Sequence, residues 1–187
     1  MVEEKEHILQ VLKEAKEAFR KNDIIKLRDL SNQTIHSASI KQDETSIAIA
    51  VVIYSISKIL ERTNYQSYPG WVYFFKKCKQ SLEQAVKALK RNDEEGFKKH
   101  VKAIEGLIDE LTGNFKMHIQ QVFEKAKISK ASRIYEHGIS LEQTANLLGI
   151  TLFELAEYAG RTGISDINLS RTLDIKKRLK YIQEIFE

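Results

Sequence analysis

Apolar residues recur at intervals of three and four along most of the chain, which is the pattern of amphipathic helices. The stripe of the first segment consists of Ile8, Val11, Leu12, Ala15, Ala18 and Phe19. One proline and eight glycines leave few of the tight turns that connect strands in a β protein. The pattern therefore predicts an all-α protein.

The first part of the chain predicts a bundle of five or six helices over residues 1–128. Asn22 ends the first helix and Asp23 caps the second. The apolar periodicity of the second helix is lost in the polar stretch 37–46. The segment 46–60 is apolar on all sides, and no second strand-like run exists to pair with it. We interpret it as the central buried helix, with its N-cap near Asp43 or Thr45.

Further helices are predicted over 71–91, 94–111 and 115–128. Gly113 either breaks the chain before the last of these or lies inside one long helix. Residues 12–23 and 82–93 share Leu, two Ala and a final Asn-Asp at matching positions. This similarity indicates either a duplicated hairpin or features that any antiparallel helix pair requires, namely small residues at the helix contact and a turn at its end.

From residue 129 the pattern changes to shorter helices. One covers 129–137 and is closed by Gly138, and the next begins at Ser140, with Gln143 three residues later as in a capping box. Gly149 ends that helix, and Thr151 caps another that reaches about residue 161. The spacing is typical of a helix-turn-helix. Residues 129–187 are therefore predicted to form a helix-turn-helix-like module and an amphipathic helix at about 169–186.

The segment 131–164 resembles small uncharacterised antitoxin-like helix-turn-helix proteins of archaea and bacteria. The residues that carry the likeness most firmly are Ile139, Ser140, Leu141, Ala145, Gly149, Gly163 and Ile164. The resemblance implies a regulatory, non-enzymatic role, with an antitoxin-like manner of action. Residues 1–128 resemble no family that we recognise.

The second helix of this module is predicted to present an apolar and acidic surface, which suits a protein partner better than a polyanion. The predicted partner-binding residues are Leu152, Phe153, Ala156 and Glu157. The alternative is a DNA-binding regulator, since polar residues near the turn and lysines of the last helix could contact bases and phosphates. That set consists of Gln143, Asn146, Thr151, Arg161, Lys176, Lys177 and Lys180. The last helix either docks on the body, contacts phosphates or forms a homodimer.

Composition and charge exclude few classes of function. In 187 residues, 30 Lys and Arg against 26 Asp and Glu give a net charge of +4, too small to indicate nucleic acid alone. The longest apolar run, 47–54, is far shorter than the roughly 20 residues of a membrane helix. The acidic start differs from a secretory signal. We expect a cytoplasmic protein without membrane association.

The chain offers little for catalysis or metal binding. Its single cysteine, Cys78, and its five histidines show no metal-ligand spacing, and no glycine-rich phosphate loop is present. We predict no cofactor, no metal, no catalytic residue and no enzymatic activity. The polar stretch 32–44 around His36 either caps a helix or holds a small ligand.

An aromatic and basic block at 71–79 indicates either core packing with a rim of lysines or a surface that stacks bases. Further basic residues extend the rim and make it a candidate for weak polyanion binding. They are Lys87, Lys90, Arg91, Lys98, Lys99 and Lys102.

Overall fold

A computed structural model describes residues 2–41, 43–136 and 138–162, and within them it contains eight α-helices, one short 3-10 helix and no strand. The α-helices are Val2–Lys21 (α1), Ile24–Lys41 (α2), Glu44–Leu60 (α3), Trp71–Lys90 (α4), Glu94–Glu110 (α5), Gly113–Glu136 (α6), Leu141–Leu148 (α7) and Leu152–Thr162 (α8). The 3-10 helix is Thr63–Ser67. The predicted all-α fold and helical bundle are confirmed. None of the helices in the described ranges is long and apolar enough to cross a lipid bilayer.

The two similar sequence segments form the same turn twice. Asn22 and Asn92 both take left-handed backbone angles, with φ of 56° and 60°. In the first turn the Asp23 amide donates to the Ala18 carbonyl at 2.8 Å, and in the second the Asp93 amide donates to Ala88 at 3.0 Å. Each aspartate then caps the next helix through its side chain. The α1–α2 and α4–α5 hairpins therefore begin from equivalent local geometry.

Helix α2 is longer than the sequence predicts. It continues to Lys41, whereas the pattern suggests that it fades from Ser37 onward. Ala38 and Ser39 are buried, and the Ser39 hydroxyl donates to the Ile35 carbonyl at 2.6 Å. The small polar side chains are thus accommodated on a core-facing helix surface instead of in a loop.

Helix α3 is the central helix of the bundle, as predicted. The Asp43 carboxylate accepts bonds from the Thr45 and Ser46 amides, which satisfies donors that the first turn leaves unpaired. Its buried residues occupy every side of the helix, and it contacts α1, α2, α5, α6 and α7.

Helix α6 joins the bundle to the C-terminal helices without interruption. Of the two alternatives at Gly113, the structure has the break: α5 ends at Glu110, α6 begins at Gly113, and Gly113 has a left-handed φ of 60°. The prediction of a separate helix beginning at Ser129 is wrong. No glycine or proline interrupts the sequence between Gly113 and Gly138, and buried Ala126, Ala131 and Ile134 continue one apolar surface across that position. The predicted division between 128 and 129 therefore falls inside a continuous helix.

The buried apolar residues form two clusters, and α2, α3 and α6 contribute to both. The first cluster lies among α1 to α5 and the first half of α6. The second is built from the end of α2, the start of α3, the second half of α6, and α7 and α8. The C-terminal helices therefore pack on the bundle where α2 and α3 meet.

Candidate functional site

Helices α7 and α8 form a C-terminal helix pair whose local geometry matches the predicted caps. The Ser140 hydroxyl accepts from the Gln143 amide at 3.2 Å and so begins α7. Gly149 ends α7 with a left-handed φ of 63°, a backbone conformation that glycine adopts without strain. The Ile150 amide then donates to the Ala145 carbonyl at 3.1 Å, closing the turn.

Helix α8 begins with a reciprocal cap. The Thr151 hydroxyl accepts from the Glu154 amide at 3.1 Å, and the Glu154 carboxylate accepts from the Thr151 amide and hydroxyl at 2.8 and 2.7 Å. These bonds from Thr151 hold the pKa of Glu154 below its usual range. Thr151 and Glu154 are therefore engaged with each other at the start of the helix.

The predicted partner-binding residues lie on the outer side of α8. Phe153 is 77% exposed and Leu152 is 48% exposed, and both Ala156 and Glu157 are exposed as well. Leu155 faces the second cluster and is buried. Because residues four apart are neighbours on a helix, Leu152 and Ala156 lie side by side, next to Phe153 and Glu157. We call Leu152, Phe153 and Ala156 the α8 apolar face.

The residues predicted for DNA binding do not all lie within the described part of the chain. Gln143 and Asn146 are exposed on α7, and Thr151 is exposed but engaged in the cap. Arg161 belongs to α8, although its side chain is outside the described set. Lys176, Lys177, Lys180 and the predicted terminal helix with its homodimer surface also lie outside the described residues.

A groove of about 550 Å³ runs between α3, α5 and the end of α7, and we call it the junction groove. Its floor is aliphatic, formed by Ile47, Ala48, Val51, Val101, Leu147 and Leu148. Its polar lining consists of Glu44, Thr45, Lys98, Lys102, Glu105, Lys127 and Asn146, together with Gly149. The structure therefore brings lysines of the predicted basic rim next to a residue of the C-terminal helix pair.

Comparison with known proteins gives no family for this chain. No family model, curated protein or solved structure matches it.

A buried lysine is the feature that the sequence interpretation missed. Lys130 on α6 is only 2% exposed; its ammonium donates to the Asn32 side-chain carbonyl at 2.9 Å and lies 4.1 Å from the centre of the Tyr54 ring. Burial, and to a smaller extent the nearby Arg133 charge, lowers its pKa to about 8. Its spacing could have predicted this burial, because Lys130 lies four residues after Ala126 and four before Ile134, on the same side of the helix as both apolar residues.

The described residues of the polar stretch around His36 are divided between α2 and the start of α3. His36 is exposed in the middle of α2, whereas Asp43 caps α3. Asp43 does line a cavity of about 360 Å³ with Thr45 and Ser46. Among the described residues, no three His, Cys, Asp or Glu side chains come together as a metal ion would need.

The aromatic and basic block of α4 packs as a core element. Phe74, Cys78 and Leu82 are buried in the first cluster, and Trp71 and Phe75 pack against it. Burial also raises the pKa of the Cys78 thiol well above its usual range, which disfavours the reactive thiolate. The same block leaves Val72 and Tyr73 exposed.

Proposed function

We propose that this protein is a non-enzymatic regulatory protein whose C-terminal helix pair, a helix-turn-helix-like module, binds a protein partner through the α8 apolar face. The observation that carries the proposal is the exposure of Phe153 and Leu152 next to each other at the start of α8. Exposed apolar side chains that lie next to each other can mark an interaction surface, and aromatic residues such as Phe153 are enriched in interfaces. An antitoxin-like manner of action is consistent with the resemblance of 131–164.

The charge of this surface favours a polypeptide over a nucleic acid. Glu157 is exposed beside the apolar face, and Glu154 precedes it by less than one turn. Carboxylates oppose the approach of phosphates, whereas burying a leucine or phenylalanine side chain in an interface yields about 1.5–3 kcal/mol. The apolar face can therefore contribute favourably to the binding of a protein partner.

The test is partner recovery with the full chain and two variants of α8. We expect Leu152→Asp and Phe153→Asp each to reduce recovery of a specific partner by about tenfold or more, because a carboxylate would replace a buried anchor. The matched control is Ile25→Asp, since Ile25 on α2 is 72% exposed and apolar but lies outside the helix pair. Circular dichroism confirms that all three variants are folded. Equal loss with Ile25→Asp, or no loss with either α8 variant, would contradict the proposal.

A nucleic-acid-binding regulator is the second candidate, and the junction groove is the observation that favours it. Asn146 lines this groove together with Lys98, Lys102 and Lys127, so phosphate-neutralising groups lie next to α7. Titration with duplex DNA at two salt concentrations tests it. Binding that weakens steeply with salt, and that Lys98→Glu with Lys102→Glu abolishes, would support this candidate. Absence of binding at low salt would eliminate it.

A further inference from the structure

The junction groove has the size of a small-molecule site. Its volume of about 550 Å³ falls within the roughly 300–1,000 Å³ of ligand pockets in proteins. The groove also lies on the seam between the two apolar clusters. Val101 belongs to the first cluster, whereas Ile47, Val51 and Leu148 belong to the second.

The groove combines an aliphatic floor with a cationic rim. Ala48 and Leu147 are partly buried and face it, above the buried Ile47 and Val51. Lys98 and Lys102, four residues apart on α5, are exposed on its rim. No carboxylate within the described ranges lies within salt-bridge distance of either lysine, while Lys127 is 4.0 Å from Glu105. Three lysines against Glu44 and Glu105 leave the lining with a net charge of +1.

We propose that the junction groove binds a small amphipathic anion, an unbranched aliphatic chain that carries one anionic head group. The chain would lie on Ala48 and Leu147, and the head group would be held by Lys98 and Lys102. A phosphate backbone would need the lysines but not the aliphatic floor, whereas an amphipathic anion uses both. The single net positive charge of the lining matches one negative charge on the ligand. This site is independent of the α8 apolar face.

Decanoate is the probe, titrated into the full chain below the concentration at which it forms micelles. We expect saturable binding by calorimetry, with chemical-shift changes at the methyl groups of Ala48, Val51 and Leu147. Decan-1-ol, which has the same chain without the charge, should bind about tenfold more weakly, because charge-assisted contacts to the lysines are lost. Equal affinity for decanoate and decan-1-ol would overturn the proposal.

Charge variants test the rim in both directions. Lys98→Gln with Lys102→Gln should weaken decanoate binding about tenfold and leave decan-1-ol binding unchanged. Glu105→Gln should strengthen decanoate binding, because it removes a negative charge from the lining. The matched control is Lys87→Gln with Lys90→Gln, two exposed lysines of α4 outside the groove. An equal effect of the control pair, or none of the groove pair, would refute the assignment.

A larger side chain in the groove tests whether the aliphatic floor holds the ligand chain. Ala48→Phe should abolish binding of both decanoate and decan-1-ol, with the folded state verified by its thermal transition. If that variant does not fold, the charge variants and the methyl shifts decide the question. Absence of saturable decanoate binding to the unmodified protein, or binding without shifts at the groove methyl groups, would also overturn the proposal.

Discussion

At the scale of single residues, Lys130 shows how a cation is tolerated in the core. Its ammonium has one amide oxygen and one aromatic face as neighbours, and its pKa is lowered to about 8 because these contacts replace water only in part. In the unfolded chain the group is expected to titrate near its ordinary value of 10.5. The folded state therefore binds this proton more weakly than the unfolded state does.

The lower pKa of Lys130 in the folded state predicts that the free energy of unfolding rises with pH. Below about pH 8 both states are protonated and the cost of burying the charge is complete. Between about pH 8 and 10.5 only the unfolded state keeps the proton, so raising the pH favours folding. We expect wild type to gain about 2 kcal/mol of unfolding free energy over Lys130→Met between neutral pH and about pH 10.

Urea unfolding of both proteins at the two pH values measures this gain. Because other groups also titrate, the quantity of interest is the difference between wild type and variant. Lys125→Met, an exposed lysine on the same helix, controls for the loss of a surface lysine. A wild-type-to-variant difference that stays constant with pH would show that Lys130 is not buried as a cation.

At the scale of elements, the boundaries of the C-terminal helix pair follow from caps that the sequence carries. Ser140, Gly149 and Thr151 each occupy the cap position that their side chain or backbone suits. Thr151 matters most for the proposed function, since it begins the helix that presents Leu152 and Phe153. The reciprocal bonds with Glu154 satisfy amide groups that the first turn of α8 would otherwise leave unpaired.

Removing this cap should loosen α8 locally. Thr151→Ala removes the hydroxyl that accepts from the Glu154 amide, at a cost of about 1 kcal/mol. We expect hydrogen exchange of the α8 amides to become about fivefold faster. Thr151→Ser keeps the hydroxyl and serves as the control. Equal exchange in the alanine and serine variants would show that the cap does not hold the helix.

At the scale of the whole molecule, α2, α3 and α6 belong to both apolar clusters. When a helix contributes to two cores, unfolding of one core removes packing contacts from the other. We therefore expect the described part of the chain to unfold as one cooperative unit, although the sequence pattern suggests two successive parts.

Trp71 reports on this coupling, because it is the single tryptophan and packs against the first cluster. Leu148→Ala removes a residue of the second cluster that is 5% exposed, and it should cost about 2–4 kcal/mol. We expect the urea midpoint from Trp71 fluorescence to fall together with the midpoint from circular dichroism. Leu152→Ala, at an exposed position of α8, should change the unfolding free energy measured by either probe by no more than about 0.5 kcal/mol. An unchanged Trp71 midpoint in Leu148→Ala would indicate independent units.

The sequence by itself determined the features that depend on neighbouring residues. Caps such as Asp23, Ser140 and Thr151, the Asn-Asp turns and the apolar stripe of α4 are local, because a helix end needs a partner within a few residues. The exposed positions of Leu152 and Phe153 followed from the same periodicity. Those parts of the fold and of the candidate site are therefore predictable from the order of residues alone.

Only the tertiary structure decided the features that depend on residues far apart in the chain. The continuity of α6 across Ser129, the burial of Lys130 against Asn32 and Tyr54, and the junction groove between α3, α5 and α7 have this origin. Periodicity shows which side of a helix is apolar but not which helix will cover it. That choice is made when the helices pack, since packing sets which side chains lose water and which distant groups become neighbours.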